Sequence, residues 1–139
     1  MASKDLLIKT LDDSYYQLEQ AFKDLPASAW NDRLTEHART PQEILSHLAE
    51  SYIAYGKQLQ GISHEWGSFK LEGAPQEQLE AWRKHRQEAV EAAVNSGKEG
   101  ANEAAMEYLA LHEAYHVGQL CLLRMRHEPN WDPYSIYRF

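Results

Sequence analysis

The sequence predicts an all-α fold, a four-helix bundle, on three observations. Apolar residues recur at alternating steps of three and four over four long stretches. Proline and glycine fall between those stretches, where they punctuate helices. There is little sign of the two-residue alternation that marks a half-buried strand. At 139 residues, with 43% hydrophobic and 25% charged residues, the chain has the size and composition of one globular domain, spanning 1–139, that can bury a core without staples.

The first helix is expected from about Lys4 to Asp24, where Leu7, Leu11, Tyr15, Leu18, Phe22 and Leu25 form one stripe. Leu25-Pro26 ends it, because proline disfavours helical geometry in the residue before it. In the connection that follows, Trp30 is read as a cover for one end of the core. The second helix opens on Thr40-Pro41-Gln42-Glu43, which reads as an N-cap, a proline at the first helical position and the glutamate of a capping box. Its stripe is Ile44, Leu45, Leu48, Tyr52, Tyr55 and Leu59, with His47 on the shoulder. Residues 61–75, GISHEWGSFKLEGAP, read as a long connection, enough to cross an end of a bundle, with Trp66 as its tether. The third helix is expected from about Pro75 to Val94, with Leu79, Trp82, Arg86, Ala89, Val90 and Ala93 roughly in line. His85, among Arg83, Lys84 and Arg86, reads as part of a solvated basic face. The NSGKEG segment, 95–100, ends that helix. The fourth is expected from about Asn102 to Arg126, its stripe running through Ala105, Met106, Leu109, His112, His116, Leu120 and Leu123. The aromatic tail after Pro129, with Trp131, Tyr134, Tyr137 and Phe139, is expected to pack on the bundle or on a second subunit.

Composition restricts function. Fourteen basic residues against twenty-one acidic ones leave a net charge of -7, which opposes binding to phosphate backbones, so no nucleic-acid partner is expected. The single cysteine, Cys121, allows no intramolecular disulfide and no cysteine-rich zinc site. No stretch has the length of a membrane span and the N-terminus lacks a secretion signal, so a cytoplasmic location with no membrane partner is expected.

The chemistry centres on LHEAYHVGQLCLLR, residues 111–124. His112 and His116 stand four apart, which puts them on neighbouring turns of one helix face and lets both reach one metal ion. Two imidazoles in a core-facing stripe need partners, because an unpaired buried polar group costs about 1–3 kcal/mol. A shared ion satisfies both. If the second and fourth helices are neighbours, His47 supplies a third imidazole. Three neutral imidazoles leave positions open to water or substrate, and imidazole suits zinc and nickel among other divalent metals. Around this triad, Gln119, Glu43 and Glu50 each lie one turn from a histidine and are candidates to orient a ring, with capping the favoured role for Glu43. HEAYH also satisfies the H-E-x-x-H pattern of metallopeptidases, with Glu113 as general base. Against that reading, no edge strand and no remote downstream ligand are evident, and Glu113 is expected about 100° off the ligand face.

TPQEILSHLAE (40–50) and HEAYHVGQLCLLR (112–124) resemble the DinB/YfiT-like family of small helical metal-binding proteins, with one histidine on the second helix and an H-x-x-x-H pair on the fourth. H-x-G-Q at 116–119 is especially typical. The resemblance spans nearly the whole chain and departs from the pattern at Val117, where a basic residue is common. It implies a bundle in which helix 3 crosses over out of simple up-down order, and it implies His47, His112 and His116 as metal ligands. It further implies a transferase or isomerase that activates a low-molecular-weight thiol at the metal toward a small electrophilic substrate, and it is compatible with a homodimer. The contrasting reading is a non-catalytic bundle in which the ion ties two helices together.

Overall fold

A computed structural model of the protein describes residues 3–138, and among them all regular structure is helical. Helix α1 (Ser3–Phe22) ends two residues before the expected Asp24, which takes a left-handed conformation with φ 55° and turns the chain out of the helix. A short 3-10 turn (Ala27–Ala29) leads to Trp30, which is buried and stacks on Phe22 at 5.6 Å, capping one end of the core. Helix α2 (Pro41–Leu59) begins on the capping box: Glu43 N donates to Thr40 Oγ1 and Thr40 N to Glu43 Oε1. Helix α3 runs Pro75–Asn95. The fourth helix, α4 (residues 101–127), joins an α-helical turn (Ala101–Ala105), a π-helical segment (Met106–Leu111) and an α-helical length (His112–His127). A 3-10 turn (Pro133–Ile136) then lays Ile136 into the core against α1, so the tail packs on its own bundle. Phe139 lies outside the described residues.

Side-chain pairs give the helix directions. Ser14 meets Glu113 and the carbonyls of Gln20 and Ala21 meet Arg124, so α1 and α4 run parallel. His47 meets His112 while Tyr55 meets Ala101, so α2 runs against α4. Gln78, at the start of α3, bonds Gln42, at the start of α2, so these two are parallel. The order is therefore up-down-down-up with one long crossover, a known bundle connectivity.

That crossover is the 60–74 connection. It does not cross an end of the bundle but returns along the length of α2. Ile62 N bonds Lys57 O, Gly67 N and Ser68 N bond Glu50, and Leu71 N bonds Ser46. Glu50 is the tether, buried and also 2.9 Å from His64 Nε2. Trp66 is not the tether: it is 53% exposed, with its ring 6.4 Å from that of His47.

The core holds Trp82, Tyr55, Leu45, Leu48, Leu18 and Leu109, all essentially inaccessible, each contributing about 1.5–3 kcal/mol by burial. Among the described residues, no helix is long and apolar enough to cross a membrane.

Candidate metal centre

The start of α2 and the middle of α4 pack together, and this contact assembles the three histidines. His112 Nε2 lies 2.9 Å from His47 Nε2 and 3.0 Å from His116 Nε2. Two nitrogens sharing one ion at about 2.0–2.1 Å can stand no more than about 4.2 Å apart, and both contacts lie well inside that limit. Among the described residues, this is the group of histidine, cysteine and carboxylate side chains placed to hold a metal. Of the four other histidines, His64 is engaged with Glu50, His127 with Asp32 and His85 against the Phe69 ring, and His37 is exposed on the connection before α2.

A hydrogen bond behind the triad fixes which nitrogen of His116 carries the proton. His116 Nδ1 is 2.6 Å from Gln119 Oε1, an acceptor, so Nδ1 holds the hydrogen and Nε2 the lone pair. His112 turns its Nε2 toward both other rings. The His116 lone pair thus points at His112 Nε2 from 3.0 Å, where a shared cation, a hydrogen on the neutral His112 ring or an added proton satisfies it. An added proton is disfavoured. Burial, with Arg39 and His112 adding to it, pushes His47 down to about 4. Burial and the His112 ring push His116 down to about 4. His112 is also lowered, by burial against the opposing pull of Glu113 and the Tyr108 carbonyl. At neutral pH all three are neutral donors, the form that binds a divalent metal.

Gln119 therefore has the ring-orienting place expected of it. Glu43 and Glu50 do not: Glu43 caps α2 and takes a bidentate ion pair from Arg33, and Glu50 clamps the crossover. Val117 is buried in the core and leaves no polar contact at the mouth of the site.

A buried polar network lies on the far side of His112, and the sequence reading missed it. Glu113 is wholly inaccessible and accepts from Ser14 Oγ at 2.7 Å, Tyr52 OH at 2.5 Å, and Arg86 Nε and Nη2 at 2.7 and 2.9 Å. Trp82 Nε1 donates to Tyr52 OH, and Arg86 Nη2 also donates to the Leu11 carbonyl. One carboxylate thus joins all four helices. Burial draws Arg86 down, but Glu113 outweighs it and holds the guanidinium above its ordinary value; burial and the same carboxylate push the Tyr52 phenol well up.

These contacts correct two readings. Arg86 is not part of a solvated basic face but points inward; the apolar stripe around it was the signal, since an arginine there demands a buried acid. Glu113 is not available as a general base, because its oxygens are committed to Arg86, Tyr52 and Ser14, which excludes the H-E-x-x-H peptidase chemistry. The reason lies in the π segment. A constant 3.6-residue period puts His112 in the core stripe and Glu113 off it. The wider π turn advances the helix, so that Ala101, Ala105, Leu109 and Glu113 are buried while His112 moves to the shoulder.

The fold and the site define a class: an all-helical bundle whose second and fourth helices bring together a three-histidine cluster able to hold a metal ion. No family model, no curated protein and no solved structure matches the chain.

Proposed function

We propose that the protein holds one divalent transition metal, zinc or nickel, on His47, His112 and His116, and that it is a DinB-like enzyme acting on a small molecule. The observation that carries this reading is the convergence of the three imidazoles, with Gln119 turning the His116 lone pair toward the other two rings. A divalent ion supplies Lewis acidity there, lowering the pKa of a thiol or water that approaches it. The residues of the chain do the rest. The three rings leave part of the ion's surroundings to a ligand, Gln119 holds the His116 ring, and the Glu113 network holds the α4 backbone beside His112. The reaction this arrangement suits is attack by a low-molecular-weight thiol on a small electrophile, in a transferase or isomerase.

Metal analysis of protein purified without an affinity tag tests the first part, with one ion per chain expected and its loss in His47→Ala. Retention of one ion in that variant sinks the triad. Cobalt substitution tests the second part: an added low-molecular-weight thiol should change the visible spectrum. A site blind to every thiol and electrophile, in a protein that unfolds on chelation, leaves a non-catalytic ion tying α2 to α4.

A further inference from the structure

We infer that the cavity beside His47 takes a small carboxylate-bearing ligand and that Arg39 is the residue that reads the carboxylate. The inference rests on the metal reading above only for the end of the ligand that faces His47. The cavity, about 700 Å³, lies between the start of α2 and the returning crossover and is of small-molecule size. His47 forms part of its wall, so the triad and the cavity share a side chain.

Its charges divide into those already spent and those free. Arg33 is spent on Glu43, with contacts of 2.6 and 3.2 Å. Glu50 is spent on His64 and on the amides of Gly67 and Ser68. Arg39 and Lys70 also line the cavity, are exposed, and have no acidic partner among the described residues. Arg39 and His47 line the same cavity, so the guanidinium and the triad face one space. Two unpaired cations therefore mark the mouth of a site in a chain whose net charge is -7. That local reversal of sign draws in an anion.

A carboxylate fits better than a phosphate. The amides at the start of α2 that could cradle a phosphate are already used: Pro41 has none, Gln42 N donates to Trp30 O, and Glu43 N donates to Thr40 Oγ1. Glu43 and Glu50 in the wall also penalise a dianion more than a monoanion. A planar guanidinium suits the planar carboxylate, and an amide chain from Gln78 through Gln42 to Asn31 offers the Asn31 NH2 as a further donor.

The test uses cobalt-loaded full-length protein and two thiols that differ only in charge, 3-mercaptopropionate and 3-mercaptopropan-1-ol, read by the thiolate-to-cobalt absorption. The wild type should bind the acid about tenfold more tightly than the alcohol, as a charge-assisted contact implies. Arg39→Gln should reduce that preference to about twofold or less while leaving the alcohol's affinity unchanged. Raising the salt concentration should erode the preference in the wild type as well, which keeps the test open if the variant misfolds. Equal affinities in the wild type, or a variant that weakens both thiols alike, overturn the inference. If no cobalt binds, the metal reading fails and the cavity is tested alone, by titrating metal-free protein with glutarate and following the Gly67 and Leu71 amides by NMR. Saturable, Arg39-dependent shifts then uphold the carboxylate site; no shifts, or displacement of glutarate by equimolar inorganic phosphate, overturn it.

Discussion

His112 and His116 differ from an ordinary pair four residues apart in what stands behind them. Gln119 fixes the His116 ring from its Nδ1 side, so Gln119→Ala should lower metal affinity by roughly 10–100-fold without unfolding the chain, as read by competition with a chelator. The depressed histidines also make stability depend on pH. In the metal-free chain the unfolded state takes up protons near the ordinary value of 6.5, whereas folded His47 and His116 resist until about 4. Their stabilising effect is therefore complete above 6.5 and is lost as pH falls toward 4, on the order of 2 kcal/mol after allowance for partial exposure. Urea midpoints between pH 7 and 4.5 should show this slope, and a His47→Ala/His116→Ala chain should flatten it. Glu113 is a structural counterpart. Glu113→Gln leaves Arg86 charged and buried without its partner, and about 3 kcal/mol should be lost in urea unfolding, with part recovered when Arg86→Met is added.

At the level of elements, the π segment of α4 matters most. It carries one residue more per turn than the flanking helix has room for, and this rotates Glu113 into the core and sets His112 at its edge. Deleting Glu107, an exposed residue within it, should restore a regular α-helix and turn the two halves of α4 against each other by about 100°. The prediction is a helical but destabilised protein with metal affinity at least about tenfold lower, checked by circular dichroism and metal analysis. Unchanged affinity would show that the π turn does not position the triad. The start of α2, by contrast, was legible from four letters, because a capping box is a local device: its donors, acceptors and proline all lie within one turn.

At the scale of the molecule, the crossover lets α2 and α3 run parallel and places the connecting strand of chain along α2, where it walls the cavity beside His47. Glu50 anchors it, so Glu50→Gln should loosen residues 61–74 first, seen as faster amide exchange at Gly67 and Ser68 with the α1–α4 contact unaffected. Because a metal on the triad would bind only the folded chain, a thousandfold excess over its dissociation constant should add about 4 kcal/mol to stability, lost on chelation.

The sequence by itself determined four helices, their caps and breaks, and the histidines that belong together, because periodicity and capping are properties of neighbouring residues. His47 needed more, a guess that α2 and α4 touch, which the packing bears out. Only the tertiary structure decided that Glu113 and Arg86 form a buried pair, that Glu50 clamps a loop rather than a ring, and that Arg39 faces the cavity. Each of those follows from a helix rotation or a chain path set by contacts between residues far apart in sequence, and a π turn shifts that rotation by a whole residue without leaving a mark in the apolar pattern.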